Sequence, residues 1–270
     1  MAQNNFLNLL GKRIIVTGAS AGIGVAIAQE FVRQGCHLML CGRDKTRLDQ
    51  VVAQCNQTAA SDIKICSTVG DVTSQSVQEM IISNTVSHLG GIDVLVNNAG
   101  IVSKGDYSST REDYQHVMAT NLESIFFLTQ LAVPHLTKTK GNIVNISSIV
   151  SCTNSPNVMV YSLSKAALDS YTEGLAINLA SKGIRVNSVN PGSVVSMLYR
   201  RGDEALGDTE YDKFVKAMSC PSVHPLGRMG FASEIADAVV FLASQRASFI
   251  TGQIVFVDGG RHCLGPVPKL

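Results

Sequence analysis

Seven short runs of β-branched and apolar residues, at 13–17, 37–41, 64–68, 94–97, 142–146, 185–189 and 253–257, alternate with longer helix-like segments at 22–34, 45–54, 74–88, 112–137 and 160–182. Few architectures accept that order. Strands separated by helices cannot pair as hairpins; they lie parallel, and the crossover helices then cover both faces of the sheet. The pattern predicts an α/β, doubly wound fold: a seven-stranded parallel sheet with helices on both faces, in a single domain spanning 1–270. No Pro/Ser-rich linker or low-complexity tract interrupts it. One stretch departs from the rhythm. Residues 193–222 are polar, contain Gly202, Gly207 and Pro221, and offer no clean strand. A long insertion in a regular fold reads as a lid or substrate loop, here about 194–222.

The first strand runs directly into Thr17-Gly18-Ala19-Ser20-Ala21-Gly22-Ile23-Gly24, and a helix follows. Gly18 permits the tight turn, Gly22 lets the backbone approach a pyrophosphate, and Gly24 allows close helix–strand packing. The helix start then offers unpaired N–H groups and a positive dipole end to the anion. Ser20 and Ile23 belong to the same cradle. A three-glycine turn in this context, between a strand and a helix, predicts dinucleotide binding.

Tyr161 and Lys165 stand four residues apart in a helical segment and so share one face. A phenol with a pKa near ~10 is a poor acid or base at neutral pH, and a neighbouring ammonium favours the phenolate and lowers that value. The pair suits proton transfer to a carbonyl oxygen or from an alcohol. Taken alone, a packed Tyr beside a solvated Lys is the competing reading.

The G-x-x-x-G-x-G spacing together with Tyr161 and Lys165 resembles the short-chain dehydrogenase/reductase family in its single-domain branch. Further motifs stand in order: Asp71-Val72, Asn97-Asn98-Ala99-Gly100, Asn121, Asn145-Ile146-Ser147-Ser148, Asn190-Pro191-Gly192, and Gly252 followed by Val257-Asp258-Gly259-Gly260. The resemblance covers nearly the whole chain and implies a Rossmann-type fold, a nicotinamide cofactor and hydride transfer. It implies that Ser148, thirteen residues before Tyr161, orients the substrate carbonyl, whereas its neighbour Ser147 points elsewhere. Tyr161 is then the general acid in reduction and the general base in oxidation. Lys165 lowers the Tyr161 pKa and binds the nicotinamide ribose, and Asn121 holds a water next to Lys165. The Asp71 side chain and Val72 backbone would meet the adenine. Asn98, Ala99 and Gly100 would let the cofactor lie against the sheet, although a purely structural Asn-rich turn stays open. The backbone after Pro191-Gly192, with Val194 and Ser196, would meet the nicotinamide amide. Family members of the 3-oxoacyl-carrier-protein-reductase-like subgroup also reduce diketones, quinones, steroids and retinoids, and the resemblance implies a homotetramer first and a dimer second.

The end of the second strand chooses the cofactor. An acid there would accept from the adenosine ribose 2′-OH. This chain has Cys41-Gly42-Arg43-Asp44, with no acid at the last strand position and Arg43 just after it. A guanidinium can fork onto a phosphate, so NADP(H) is favoured over NAD(H). The alternatives are an NAD(H)-dependent alcohol dehydrogenase and a nucleotide-binding scaffold without turnover. Met197, Leu198, Tyr199, Phe214, Val215 and Met218 in the long loop predict an apolar pocket for a small carbonyl or alcohol.

With 22 Lys and Arg against 21 Asp and Glu, net charge is +1 and no basic tract exists, which argues against a nucleic-acid partner. The seven cysteines are odd in number and lack C-x-x-C or Cys/His metal spacing, so buried free thiols in a reducing compartment are expected. The six histidines are scattered, and His224 reads as part of a structural turn. No apolar stretch reaches the ~20 residues needed to span a bilayer. The expectation is a cytoplasmic protein; the terminal Pro268-Lys269-Leu270 resembles a peroxisomal tripeptide with Pro in place of the usual small residue.

Overall fold

In a computed structural model, residues 6–153, 157–195 and 207–264 are described. Seven strands form one parallel sheet: β1 (Arg13–Thr17), β2 (His37–Gly42), β3 (Ile65–Val69), β4 (Val94–Asn97), β5 (Asn142–Ile146), β6 (Arg185–Pro191) and β9 (Ile254–Val257), in the order β3-β2-β1-β4-β5-β6-β9. Each expected strand is present, with ends shifted by two residues at most. The side-chain alternation of β1 explains the two layers. Ile14 and Val16 join a core with Leu38, Leu40 and the helices α1 (Ile23–Arg33), α2 (Lys45–Thr58) and α8 (Ala232–Ala243). Ile15 points the other way, into a core with Met39, Leu95 and Ile143 under α3 (Gln75–Leu89), α5 (Ser124–Thr139) and α6 (Met159–Leu179). A sheet buried on both faces needs continuous apolar runs, which is why RIIVT and VLVN show no polar alternation.

Strand order reverses between β1 and β4, the point outside which a doubly wound sheet opens a crevice at its carboxyl ends. Register places the functional turns there: Val16 pairs with Val96, and Asn97 with Asn145.

Two sequence expectations are corrected. The segment 112–137, read as one helix, is α4 (Arg111–Met118) joined to α5 through a π-helical turn at Ala119–Glu123, closed by the Ser124 amide donating to the Ala119 carbonyl. Periodicity near 3.6 does not register one extra residue in a turn. The loop expected across 193–222 also carries regular structure. Val194–Val195 (β7) pairs in parallel with Gly230–Phe231 (β8), and Asp208–Met218 forms α7. Tyr211, Phe214, Val215 and Met218 make an apolar stripe at helical spacing in that polar segment, and Glu210 accepts from the Gly207 amide at the helix start. Ser196 and the expected pocket residues Met197, Leu198 and Tyr199 lie outside the described residues, as does Pro268-Lys269-Leu270. No helix among the described residues is long and apolar enough to cross a membrane.

Candidate active site

A cleft of about 1120 Å³ runs along the carboxyl ends of the strands. Of the expected site residues, Gly18, Ser20, Gly22, Ile23, Arg43, Asp71, Val72, Asn98, Ala99, Gly100, Ser148, Tyr161, Lys165, Pro191, Gly192 and Val194 border it. Gly24 and Asn121 stand behind the wall, Gly24 by close packing and Asn121 by its side-chain hydrogen bonds.

The cradle is a backbone object. Gly18 and Gly22 hold φ of +65° and +58°, values that side chains disfavour. A Cβ on Gly18 would lie 2.9 Å from the Ala99 Cα, and one on Gly24 would run into the Gly18 carbonyl and sit 2.7 Å from Asn98 Nδ2. Asn98 Nδ2 donates to the carbonyls of Thr17 (2.9 Å) and Gly18 (3.1 Å), while Thr17 Oγ1 accepts from the Asn98 and Ala99 amides at 3.0 Å each. The Asn98 side chain therefore clamps β4 to the glycine turn. No side chain caps the start of α1, so its first N–H groups face the cleft without an internal acceptor. Those donors, the dipole and the absence of side-chain bulk fit the pyrophosphate of a dinucleotide.

At the sheet's centre four polar side chains converge. Lys165 is buried, and its Nζ donates to the Ile146 carbonyl at 2.9 Å. The same nitrogen lies 5.7 Å from the Tyr161 ring centroid. Burial pulls the Lys165 pKa down to about 8, opposed by the Asp169 carboxylate one turn further along α6. Ser147 and Ser148 divide as adjacent residues at a strand end should. Both border the cleft, but Ser147 Oγ is committed, donating to the Lys165 carbonyl at 3.2 Å and tying β5 to α6, whereas Ser148 Oγ accepts from the Val150 amide at a long 3.3 Å. Asn121, fully buried in the π turn, has its amide committed: Oδ1 accepts from the Ile101 amide (2.8 Å), and Nδ2 donates to the Ile101 carbonyl (2.9 Å) and Ser164 Oγ (3.1 Å). Ser164 Oγ in turn donates to the Tyr161 carbonyl at 2.7 Å, so Asn121 fixes the first turns of α6. Inserted turns of this kind often mark functional sites.

Below these residues a polar ladder crosses the sheet. Asn97 Nδ2 donates to Asn145 Oδ1 (2.9 Å), and Asn145 Nδ2 to Thr172 Oγ1 (2.8 Å). Asn190 Nδ2 reaches the Ser148 carbonyl (3.1 Å) and Asp169 Oδ2 (2.8 Å). These bonds between buried amides fix the register at the reacting end, although Asn97 Oδ1 is buried without a partner among the described residues.

At the β2–β3 end, Arg43 is exposed and meets Asp71 Oδ2 at 3.4 Å. Asp71 also accepts from the Thr73 amide and hydroxyl at 2.9 Å each. Partial burial would raise the Asp71 carboxyl; the Thr73 bonds and Arg43 outweigh it and hold it below the ordinary carboxylate range. Asp44 caps α2 through the Arg47 amide and pairs with the Arg47 guanidinium. Arg47 borders the cleft as well and was missed in the sequence; its place three residues after an N-cap Asp, beside Arg43, is the signal that could have found it. His224 is buried and structural, as expected. Its Nδ1 donates to the Met218 carbonyl (2.6 Å), and its Nε2 accepts from the Ser193 amide (3.1 Å). Burial lowers its pKa, so the ring stays neutral. Arg261, also unforeseen, borders the cleft near Ser193.

A family model described as enoyl-(acyl carrier protein) reductase matches residues 18–262. The chain is 34% identical to the L-fucose dehydrogenase of Mus musculus over 272 residues, covering 96% of this chain and 95% of that one. Among solved structures, a short-chain dehydrogenase/reductase of unknown function from Caenorhabditis elegans, with cofactor, superposes with a TM-score of 0.91 at 35% identity, covering 96% of this chain and 97% of that one. The L-sorbose reductase of Gluconobacter frateurii, complexed with NADPH and L-sorbose, gives 0.89 at 27% identity, covering 96% and 99%.

Proposed function

Because the chain belongs to the short-chain dehydrogenase/reductase family, we propose that it is an NADP(H)-dependent oxidoreductase interconverting a ketone or aldehyde and an alcohol. The observation that carries this reading is the convergence of Ser148, Tyr161 and Lys165 on one cleft that also holds an uncapped helix start and a glycine turn. The nicotinamide, when bound, supplies or takes up the hydride. In reduction, Ser148 Oγ donates to the carbonyl oxygen and steadies the charge that grows on it. The Tyr161 hydroxyl delivers the proton to that oxygen. Lys165, still largely protonated at neutral pH with a pKa of about 8, stabilises the phenolate left behind. Oxidation reverses each step, with Tyr161 as base.

Arg43 supports the choice of NADP(H). Its ion pair with Asp71 is long and exposed, worth little in water, so a 2′-phosphate can draw the guanidinium away at small cost. Arg47 adds a second cation on the same wall. In this reading Val194, Phe214 and Met218, which border the cleft, belong to the substrate wall. We also propose one domain over 1–270 and assembly into a homotetramer. Phe126 and Phe127 on α5 and Leu163 and Ile177 on α6 are exposed, and such faces are covered in self-association.

The test is consumption of NADPH and NADH by the purified protein with diketones, quinones, aryl ketones, ketosteroids, retinal and a 3-oxoacyl thioester. Turnover with NADPH above NADH supports the reading. Preference for NADH refutes the role given to Arg43, and tight nucleotide binding without turnover of any carbonyl favours the scaffold.

A further inference from the structure

Arg261 stands at the end of the cleft opposite Arg43. β2, which leads into Arg43, and β9, which leads towards Arg261, are five strand spacings apart in the sheet. At about 4.8 Å each, that is roughly 24 Å, too far for Arg261 to share the adenosine end. Its Nη1 donates to Ser193 Oγ at 3.0 Å and lies 4.0 Å from Met218 Sδ. Arg261 forms no ion pair among the described residues. The nearest carboxylate in sequence, Asp258, is spent: it accepts from the Gly260 amide at 3.0 Å, the His262 amide at 2.7 Å and His262 Nδ1 at 2.9 Å. His224, the ring beside Ser193, is neutral and has both nitrogens bonded. The wall formed by Val194, Phe214 and Met218 therefore carries a partly buried cation with no ion-pair partner among the described residues. A guanidinium presents five N–H donors in a planar fork that matches a carboxylate, and a single neutral hydroxyl occupies only part of it.

We infer that Arg261 anchors a carboxylate of the substrate, so that the cleft takes an oxo acid and the corresponding hydroxy acid. This deepens the reading of the cleft as a carbonyl-reducing site and rests on it. Ser148 and Tyr161 stand at β5 and α6, two strand spacings from β9, or roughly 10 Å. The Arg261 side chain and a short carbon chain span that gap together. Phe214 and Met218 suit the apolar chain between the two polar ends.

The experiment compares acetoacetate, levulinate and 2-oxobutyrate with their methyl esters, using NADPH and the wild-type, Arg261→Gln and Arg261→Lys proteins. The expected result is a wild-type preference for the acids, carried by KM. In Arg261→Gln the acid-to-ester ratio of kcat/KM falls about 10- to 100-fold, the range of a lost charge-assisted pair, with partial rescue by Lys. A wild type indifferent to the charge overturns the inference, as does equal loss on acid and ester, since Arg261 then only props Ser193. If no carbonyl is reduced, the function proposed above fails and the anchor is judged separately. Butanoate and butanamide are then titrated calorimetrically into the protein with NADPH. Binding of butanoate alone, abolished in Arg261→Gln, upholds the anchor, and no binding overturns it.

Discussion

Replacing Lys165 by Met should make the protein inactive and, near neutral pH, no less stable. Lys165 is 3% exposed, and burial takes its pKa from 10.5 to about 8. At about 1.36 kcal/mol per pKa unit, that drop corresponds to about 3 kcal/mol spent on keeping the ammonium inside the fold at pH 7. Met removes this cost but strands the Ile146 carbonyl that Lys165 now bonds, a loss of about 1–3 kcal/mol. The net change runs from neutral to a gain of about 2 kcal/mol, or up to ~4–8 °C in Tm for a chain of this size. The pH dependence is sharper. Between the folded value of about 8 and the unfolded 10.5, the unfolded chain binds more protons, so this residue makes wild-type stability rise with pH. From pH 8, where the folded Lys165 is half protonated, to pH 9.5 the rise is about 1.6 kcal/mol, and Lys165→Met lacks it. Urea unfolding of both proteins at pH 7, 8, 9 and 9.5 measures the difference directly. A stability gap that does not move with pH would show that Lys165 keeps an ordinary pKa, and the argument from burial would fail.

Three further outcomes follow from the same geometry. Ser148→Ala should lower kcat by about 100-fold or more, in the range for lost oxyanion donors, whereas Ser147→Ala, which loses only its bond to the Lys165 carbonyl, should show mainly a lower Tm. Arg43→Ser should raise the KM for NADPH by about 10- to 100-fold and leave that for NADH nearly unchanged; equal changes for both would remove Arg43 from cofactor choice. Gly24→Ala drives a Cβ into the Gly18 carbonyl and Asn98 Nδ2, so nucleotide affinity measured by calorimetry should collapse while circular dichroism keeps the α/β signature.

Most of the scaffold was legible because its signals are local. A strand buried on both faces reads as a run dominated by apolar and β-branched residues, even where a buried Asn such as Asn145 interrupts it, so β1, β4 and β5 were bounded to the residue. The glycine turn was legible because positive φ and close approach select one residue type. What escaped depends on contacts between distant segments. The π turn at Ala119–Glu123 is held by Asn121 bonding Ile101 and Ser164, and no periodicity encodes that. Helix α7 hid because its apolar stripe is short and sits among polar residues. Asn98 borders the cleft as expected, and only the fold shows that its side chain also clamps Thr17 and Gly18 across the sheet. Arg261 follows the Asp258-Gly259-Gly260 motif by one residue, and only the folded β6–β9 pairing brings it beside Ser193.

The central claim is that Tyr161 moves the proton, and a single-turnover comparison of wild type with Tyr161→Phe tests it most directly. Enzyme loaded with NADPH is mixed with the best carbonyl of the panel, and loss of the reduced nicotinamide is followed by stopped flow, with NADPH affinity measured in parallel. The account predicts unchanged NADPH binding and a hydride-transfer rate lowered by at least about 100-fold, the span of general acid catalysis. A Tyr161→Phe protein that binds NADPH and reduces the carbonyl at the wild-type rate would contradict it.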